Sequence, residues 1–227
     1  MNSTKKSNNQ SPKKKIGKYF WYDFVKITGA PSALLWTRPK VYGLNGKKPP
    51  KIKGGVLVSS NHISFEDPII VLCVFWYRRL FSLATKDLYK NKLLEIMFGC
   101  MHCIQVDKGN FSMKSLHAVF EYLSEDKAVL IFPEGRVNLQ DTQMSSFKSG
   151  AVLMAHRTKK PILPIYLVKP KKWYHRREII IGEPFDVADS LGDYPTMQDM
   201  ARVSDELRQK ELELCEYYNN ISKEKNK

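Results

Sequence analysis

From Val56 to Gly182 short apolar runs alternate with stretches whose apolar positions recur at helical spacing. The runs predict strands over 56–60, 80–84, 103–107, 128–132, 162–168 and 178–182. The stretches between them predict helices over 67–77, 87–98, 112–124 and 148–158, and in the third of these Leu116, Val119, Phe120 and Leu123 form one apolar stripe suited to a core. Strands and helices in alternation imply an α/β fold: a single domain with a largely parallel mixed sheet covered by helices. In such a sheet functional loops gather beyond the C-terminal ends of the strands.

The pattern changes at both ends of the chain. Residues 1–15 hold five lysines and no acidic residue, a composition that predicts a flexible basic tail. Over 16–39 the residues Ile16, Phe20, Phe24 and Ile27 follow helical spacing, with Tyr19, Trp21 and Tyr22 among them and Lys15, Lys18 and Lys26 beside them. This predicts an N-terminal amphipathic helical segment, broken at Gly29-Ala30-Pro31 and restarted at Ser32 with Leu34, Leu35 and Trp36. Two readings of it stand: packing on the core, or an interfacial anchor whose aromatic rings favour the headgroup level while the lysines favour anionic lipid. The domain proper is expected over 40–222. It should end in a helix carrying Met200, Val203, Leu207, Leu214, Tyr218 and Ile221 at helical spacing, which would dock on the sheet. No repeat of 20–50 residues is visible.

Composition narrows the partners. With 227 residues and 43% hydrophobic content, one domain with a substantial core is expected. The net charge of +14 points to an anionic partner: nucleic acid, a membrane surface or an acidic carrier protein. The basic residues are spread over tail, linkers and loops with no nucleic-acid-binding signature, so nucleic acid is not expected. The segment Lys169 to Arg177 has five lysines and arginines around Trp173 and Tyr174, and is read either as a contact for a membrane or acidic carrier or as a solvated hairpin. The longest apolar run, Ile69 to Tyr77, falls well short of the roughly 20 residues that span a bilayer, and no secretory signal precedes it. A cytoplasmic location follows. Cys73, Cys100, Cys103 and Cys215 are too few for a disulfide framework, and Cys100-Met101-His102-Cys103 lacks the second pair that would close a metal site, so no metal is expected.

The candidate chemistry lies in the loop after the first of these strands, Asn61-His62-Ile63-Ser64-Phe65-Glu66-Asp67. Within one α-helix a His and an Asp five residues apart would face different ways. Pro68 disfavours helical geometry at Asp67, which makes Asp67 a natural N-cap with Pro at N1 and turns residues 61–67 into a curled loop. There the carboxylate reaches the imidazole, fixes its tautomer and leaves the other ring nitrogen to act as a general base. No Gly-x-Ser-x-Gly elbow occurs, so the nucleophile would be a hydroxyl of the substrate. On spacing alone a capping aspartate beside an incidental histidine also accounts for the loop.

A second polar loop, Phe132-Pro133-Glu134-Gly135-Arg136, again follows an apolar run. These two loops, with Phe147-Lys148-Ser149-Gly150-Ala151 and Pro161-Ile162-Leu163-Pro164 in the same order, resemble the glycerolipid acyltransferase family that includes 1-acylglycerol-3-phosphate acyltransferase. The likeness takes in Lys86-Asp87-Leu88 and Ile104-Gln105-Val106-Asp107-Lys108, and runs from Lys40 to Phe185. It implies transfer of a fatty acyl group from a thioester to a glycerolipid hydroxyl, with His62 as base and Asp67 as its orienter. Acyl-coenzyme A or acyl carrier protein would be co-substrate, with no cofactor. It further implies a lysophospholipid acceptor, lysophosphatidate first, and a peripheral, monotopic place on the cytoplasmic face of an anionic membrane. Lys108, Glu134, Gly135, Arg136 and Lys148 become the candidate substrate-binding residues, a phosphate requiring cations or N–H donors near the base.

The chain departs from the family at two points. Where the family has Glu-Gly-Thr-Arg, Arg136 comes one place early, and Glu134-Gly135-Arg136-Val137-Asn138 is similar to the Glu-Gly-Lys-Val-Asn run of tafazzin-like lysophospholipid transacylases. Lys108 stands where the family has Arg, and a lysine cannot grip a phosphate with two parallel bonds. A lysophospholipid acyltransferase or transacylase is therefore the first alternative, beside a glycerol-3-phosphate acyltransferase and, more remotely, a non-catalytic basic lipid-binding module.

Overall fold

The computed structural model describes residues 17–107, 112–138, 144–172 and 174–225. The basic tail, Lys108 and Trp173 lie outside them. The elements are α1 (Phe20–Thr37), β1 (Lys40–Gly43), β2 (Val56–Ser60), α2 (Asp67–Val74), β3 (Leu80–Thr85), α3 (Lys92–Cys100), β4 (Ile104–Val106), α4 (Met113–Ser124), β5 (Ala128–Ile131), α5 (Gly150–Thr158), β6 (Ile162–Val168), β7 (Glu178–Ile181) and α6 (Met197–Lys225), with short 3-10 turns at Leu44–Gly46 and Lys86–Lys90. The strands form a 7-stranded sheet in the order β1-β7-β6-β2-β5-β3-β4. All neighbours are parallel except β6 and β7, so β1 and β7 run against the rest. This is the expected helix-covered, mostly parallel sheet, extended by the edge strand β1, which no apolar run announced.

Every residue of β2 and of β5 is buried, as befits central parallel strands covered on both faces. Alternate side chains feed two cores. Val56 and Val58 pack with Ile70, Val71 and Phe75 under α2, while Leu57 packs with Ala151 and Val152 of α5 and Val203 and Leu207 of α6. The chain leaves β2 through α2 towards β3 and leaves β5 through α5 towards β6, in opposite directions along the sheet. With right-handed crossovers the two helices fall on opposite faces. The C-terminal ends of neighbouring strands β2 and β5 thus form the topological switch point, where open α/β sheets place their sites.

The predicted break at Gly29-Ala30-Pro31 is corrected: α1 is one helix through Pro31. Pro31 forfeits only its own bond to the preceding turn, and hydroxyls satisfy neighbouring carbonyls, Thr28 bonding that of Phe24 (2.8 Å) and Ser32 that of Gly29 (2.9 Å). One face of α1 belongs to the core. Tyr22 is fully buried against Phe81, and its hydroxyl both donates to the carbonyl and accepts from the N–H of Leu80, each at 2.9 Å. Elsewhere along the helix Phe20, Trp21, Phe24, Ile27, Leu35 and Trp36 stand in solvent. Among the described residues no helix is long and apolar enough to cross a membrane.

Replacing Tyr22 with Phe should therefore strand both backbone groups of Leu80 and cost about 1–3 kcal/mol. Urea denaturation should show a lower midpoint at unchanged slope.

Candidate active site

Asn61 ends β2 by imitating a strand residue. Its side-chain amide donates to the carbonyl of Leu167 (3.0 Å) and accepts from its N–H (2.7 Å), extending the β2–β6 ladder by one pair. The backbone is then free to leave the sheet at His62. The loop curls around the carboxylate of Asp67, whose Oδ2 accepts from the N–H groups of Ile63 (2.7 Å) and Ser64 (2.8 Å) and lies 2.8 Å from Nδ1 of His62. Asp67 is fully buried. A buried carboxylate needs donors around it, and here the loop's own amides supply them to Oδ2, while Oδ1 has no hydrogen-bond partner among the described residues. Because a carboxylate only accepts, Nδ1 carries the proton in this contact, leaving Nε2 as the basic nitrogen. Nε2 has no hydrogen-bond partner among the described residues, and the imidazole lies flat on Phe132 at a centroid distance of 3.9 Å and an interplanar angle of 16°.

One detail differs from the sequence reading. Asp67 is the first residue of α2 and Glu66 its N-cap, so Pro68 comes second. The Asp67 side chain does not cap its own helix but turns back onto the loop. Glu66 instead pairs with Arg177 (2.8 Å), which removes Arg177 from the exposed basic face of the 169–177 segment.

The β5 loop meets the first one through Glu134, which is buried. One of its oxygens accepts from the N–H of His62 (3.3 Å) and the other from that of Ser145 (3.1 Å). The N–H of Asn138 donates to the carbonyl of His62 at 2.7 Å, a second tie between the loops. Gly135 holds φ at +68°, where only glycine is at ease, and a Cβ there would stand 2.8 Å from Nζ of Lys148. The Lys148 backbone N–H is fixed to the carbonyl of Pro133 (3.0 Å). Arg136 is exposed and donates to the Ser145 hydroxyl at 3.0 Å.

The structure thus brings together His62, Asp67 and Glu134 by direct bonds, sets Gly135 and Arg136 on the adjoining turn, and lays Lys148 against that turn from the segment before α5. Sequence reasoning did not find Asn61, Ser145, Arg208 or Glu211. Arg208 donates to the carbonyls of Met144 and Ser145, and Glu211 takes a 2.6 Å hydrogen bond from Ser59. Glu211 carried a signal, a charged residue on the buried stripe of α6 between Leu207 and Leu214, with the half-buried Arg208 beside it. Elsewhere, burial pushes the Cys103 thiol up, away from the thiolate that redox work requires. Among the described residues no group of three or more His, Cys, Asp or Glu could hold a metal ion.

The family model described as Acyltransferase matches residues 38–168, more than half of the chain. The 1-acyl-sn-glycerol-3-phosphate acyltransferase of Bacillus subtilis is 27% identical over 165 residues, 70% of this chain and 81% of that protein. A probable 1-acyl-sn-glycerol-3-phosphate acyltransferase of Mycoplasma pneumoniae is 30% identical over 152 residues, 64% of this chain but only 56% of the relative. The crystal structure of the 1-acyl-sn-glycerophosphate (LPA) acyltransferase PlsC from Thermotoga maritima superposes with a TM-score of 0.60 at 19% identity, covering 86% of this chain and 78% of that one. At that identity the likeness is one of fold.

Glu134→Gln tests the tie between the loops, because an amide offers one acceptor oxygen and sets an NH2 group against the second N–H. A loss of about 1–3 kcal/mol in chemical denaturation is expected.

Proposed function

Because this chain belongs to the Acyltransferase family, we propose that it moves a fatty acyl group from a thioester to the free hydroxyl of lysophosphatidate, making phosphatidate, with His62 as general base. The observation that carries this reading is the 2.8 Å contact between Nδ1 of His62 and the buried Asp67, which leaves Nε2 to accept a proton. Nε2 takes the acceptor hydroxyl's proton as its oxygen attacks the thioester carbonyl. The C–O bond forms, the C–S bond breaks, and the departing sulfur takes the proton back from Nε2. Asp67 holds the tautomer and stabilises the transient imidazolium.

Arg136 on the turn and Lys148 packed against it would provide the cations for the acceptor phosphate, and Lys108 would join them. The names of the Bacillus and Mycoplasma relatives support this acceptor. The net charge of +14 suits either donor, coenzyme A or acyl carrier protein, since both are anionic. A second reading rests on Glu134-Gly135-Arg136-Val137-Asn138: if Arg136 is committed to Ser145, as its 3.0 Å bond suggests, the acceptor is a lysophospholipid of another headgroup, as in tafazzin-like transacylases.

The α1 segment over 16–39 is the proposed attachment site of the 40–222 acyltransferase domain, which would sit peripherally on the cytoplasmic face of an anionic membrane. The exposed Phe20, Trp21, Phe24, Leu35 and Trp36 support this. Since Tyr22 is part of the core, deletion of α1 would damage the fold, and exchange of exposed side chains is the cleaner test. Trp21→Ser with Trp36→Ser should reduce cosedimentation with anionic vesicles at unchanged thermal stability, and added salt should weaken what remains.

The mechanism is checked by offering lysophosphatidate, glycerol 3-phosphate and lysophosphatidylcholine with each donor. His62→Ala should lower kcat by on the order of a hundred- to ten-thousandfold. Asp67→Asn should also be severe, whereas alanine at all four cysteines should leave turnover in place. A trapped acyl-cysteine with ping-pong kinetics would replace direct transfer by double displacement. Preference for lysophosphatidylcholine would favour the second reading.

A further inference from the structure

We propose that α6 clamps both active-site loops, with Arg208 and Glu211 as positioning residues of the acyl-transfer site. The two side chains are three residues apart, hence neighbours on one helix face. The helix packs against β6, β7 and α5.

Arg208 acts on the β5 loop. Its Nε donates to the carbonyls of Met144 and Ser145 (both 3.2 Å) and its Nη2 to that of Met144 (2.9 Å). Ser145 hands the constraint on in two directions. Its N–H donates to Glu134 (3.1 Å), which in turn accepts from the N–H of His62 (3.3 Å), and its hydroxyl accepts from Arg136 (3.0 Å). A continuous path thus runs from α6 through Ser145 and Glu134 to the backbone of the base. A planar guanidinium suits this task because its fork reaches two carbonyls at once.

Glu211 acts on the end of β2, from which the first loop leaves. Its Oε1 accepts from the hydroxyl of Ser59, three residues before His62, at 2.6 Å, the Asn61 backbone also favours the charged carboxyl, and among the described residues Oε2 has no hydrogen bond of good geometry. The residue is fully buried, and burial, with the nearby Glu134 adding repulsion, pushes its carboxyl well above the usual carboxylate range. A buried carboxyl with one oxygen unsatisfied is costly in a helix–sheet contact, where leucine would pack without penalty. Its position explains it: it is the polar contact between α6 and the strand that carries the base. A neutral carboxyl is imitated by glutamine, which retains an acceptor oxygen for Ser59.

The kinetic arm rests on the acyl-transfer reading given above; the exchange arm does not. Hydrogen–deuterium exchange on the full chain should show faster exchange over 134–138 and 144–148 in Arg208→Ala than in wild type, with β6 and β7 still protected. Arg208→Gln, which keeps a good helix former and two donors, is measured beside it in case the alanine variant fails to fold. With lysophosphatidate, Arg208→Ala should raise the acceptor KM by roughly ten- to hundredfold and the donor KM by less than about threefold. In an Arg136→Ala background the same change should add less than it does alone, because both act through Ser145. Glu211→Leu should lower kcat while Glu211→Gln keeps most of it. Unchanged exchange over 134–148 in a folded Arg208 variant would overturn the clamp whatever the substrate is. Faster exchange with both KM values unmoved, or a fully additive double variant, would overturn the positioning role. Wild-type protein inert towards lysophosphatidate would sink the proposed acceptor, leaving the exchange arm to decide the clamp.

Discussion

One oxygen atom, Oδ2 of Asp67, holds the candidate site in shape. It gathers the amides of Ile63 and Ser64 and the Nδ1 of His62, all within 2.8 Å, in a place closed to solvent. Removal of the charge would release three donors together, so loop geometry and ring tautomer stand or fall as one unit. A surface aspartate could not do this, because water would compete for each amide and the ring would rotate. Burial makes the contact directional.

The sheet delivers the two halves of the site to the same spot. Strands β2 and β5 pair directly, and the loops leaving their C-terminal ends are tied by Glu134 and by the bond from Asn138 to His62. Glu134 therefore acts first as a bridge between backbones; whatever it offers a substrate is secondary to that. The exposed cations of the turn then sit on a frame already fixed, with Gly135 leaving the room that the Lys148 tip occupies.

The reach of the sequence follows from how far apart the interacting residues lie. The six predicted strands and four predicted helices rest on local periodicity, and they agree with the structure to within three residues at the ends, except that the helix predicted over 87–98 starts at Lys92, after a separate 3-10 turn over Lys86–Lys90. The His62–Asp67 contact was legible for the same reason, being five residues long. What escaped depends on partners far along the chain. Strand β1 exists because β7 pairs with it 138 residues later, its own four residues showing no apolar run. Arg208 and Glu211 serve loops 63 and 152 residues away. The unbroken α1 escaped for another reason: local chemistry argued for a stop, and hydroxyl back-bonding together with the docking of Tyr22 overrode it.

The ends of the sheet bear on how such a protein stays dispersed. Among the described residues the sheet ends at β1 and β4, four and three residues long, and β1 begins with a lysine. An edge of that length exposes too few free amides and carbonyls to template a strand from another chain, and the long, unbroken, apolar strands are the interior ones. A face of bare aromatic side chains raises the danger of indiscriminate sticking, yet a contact made through that face finds no ladder to grow along.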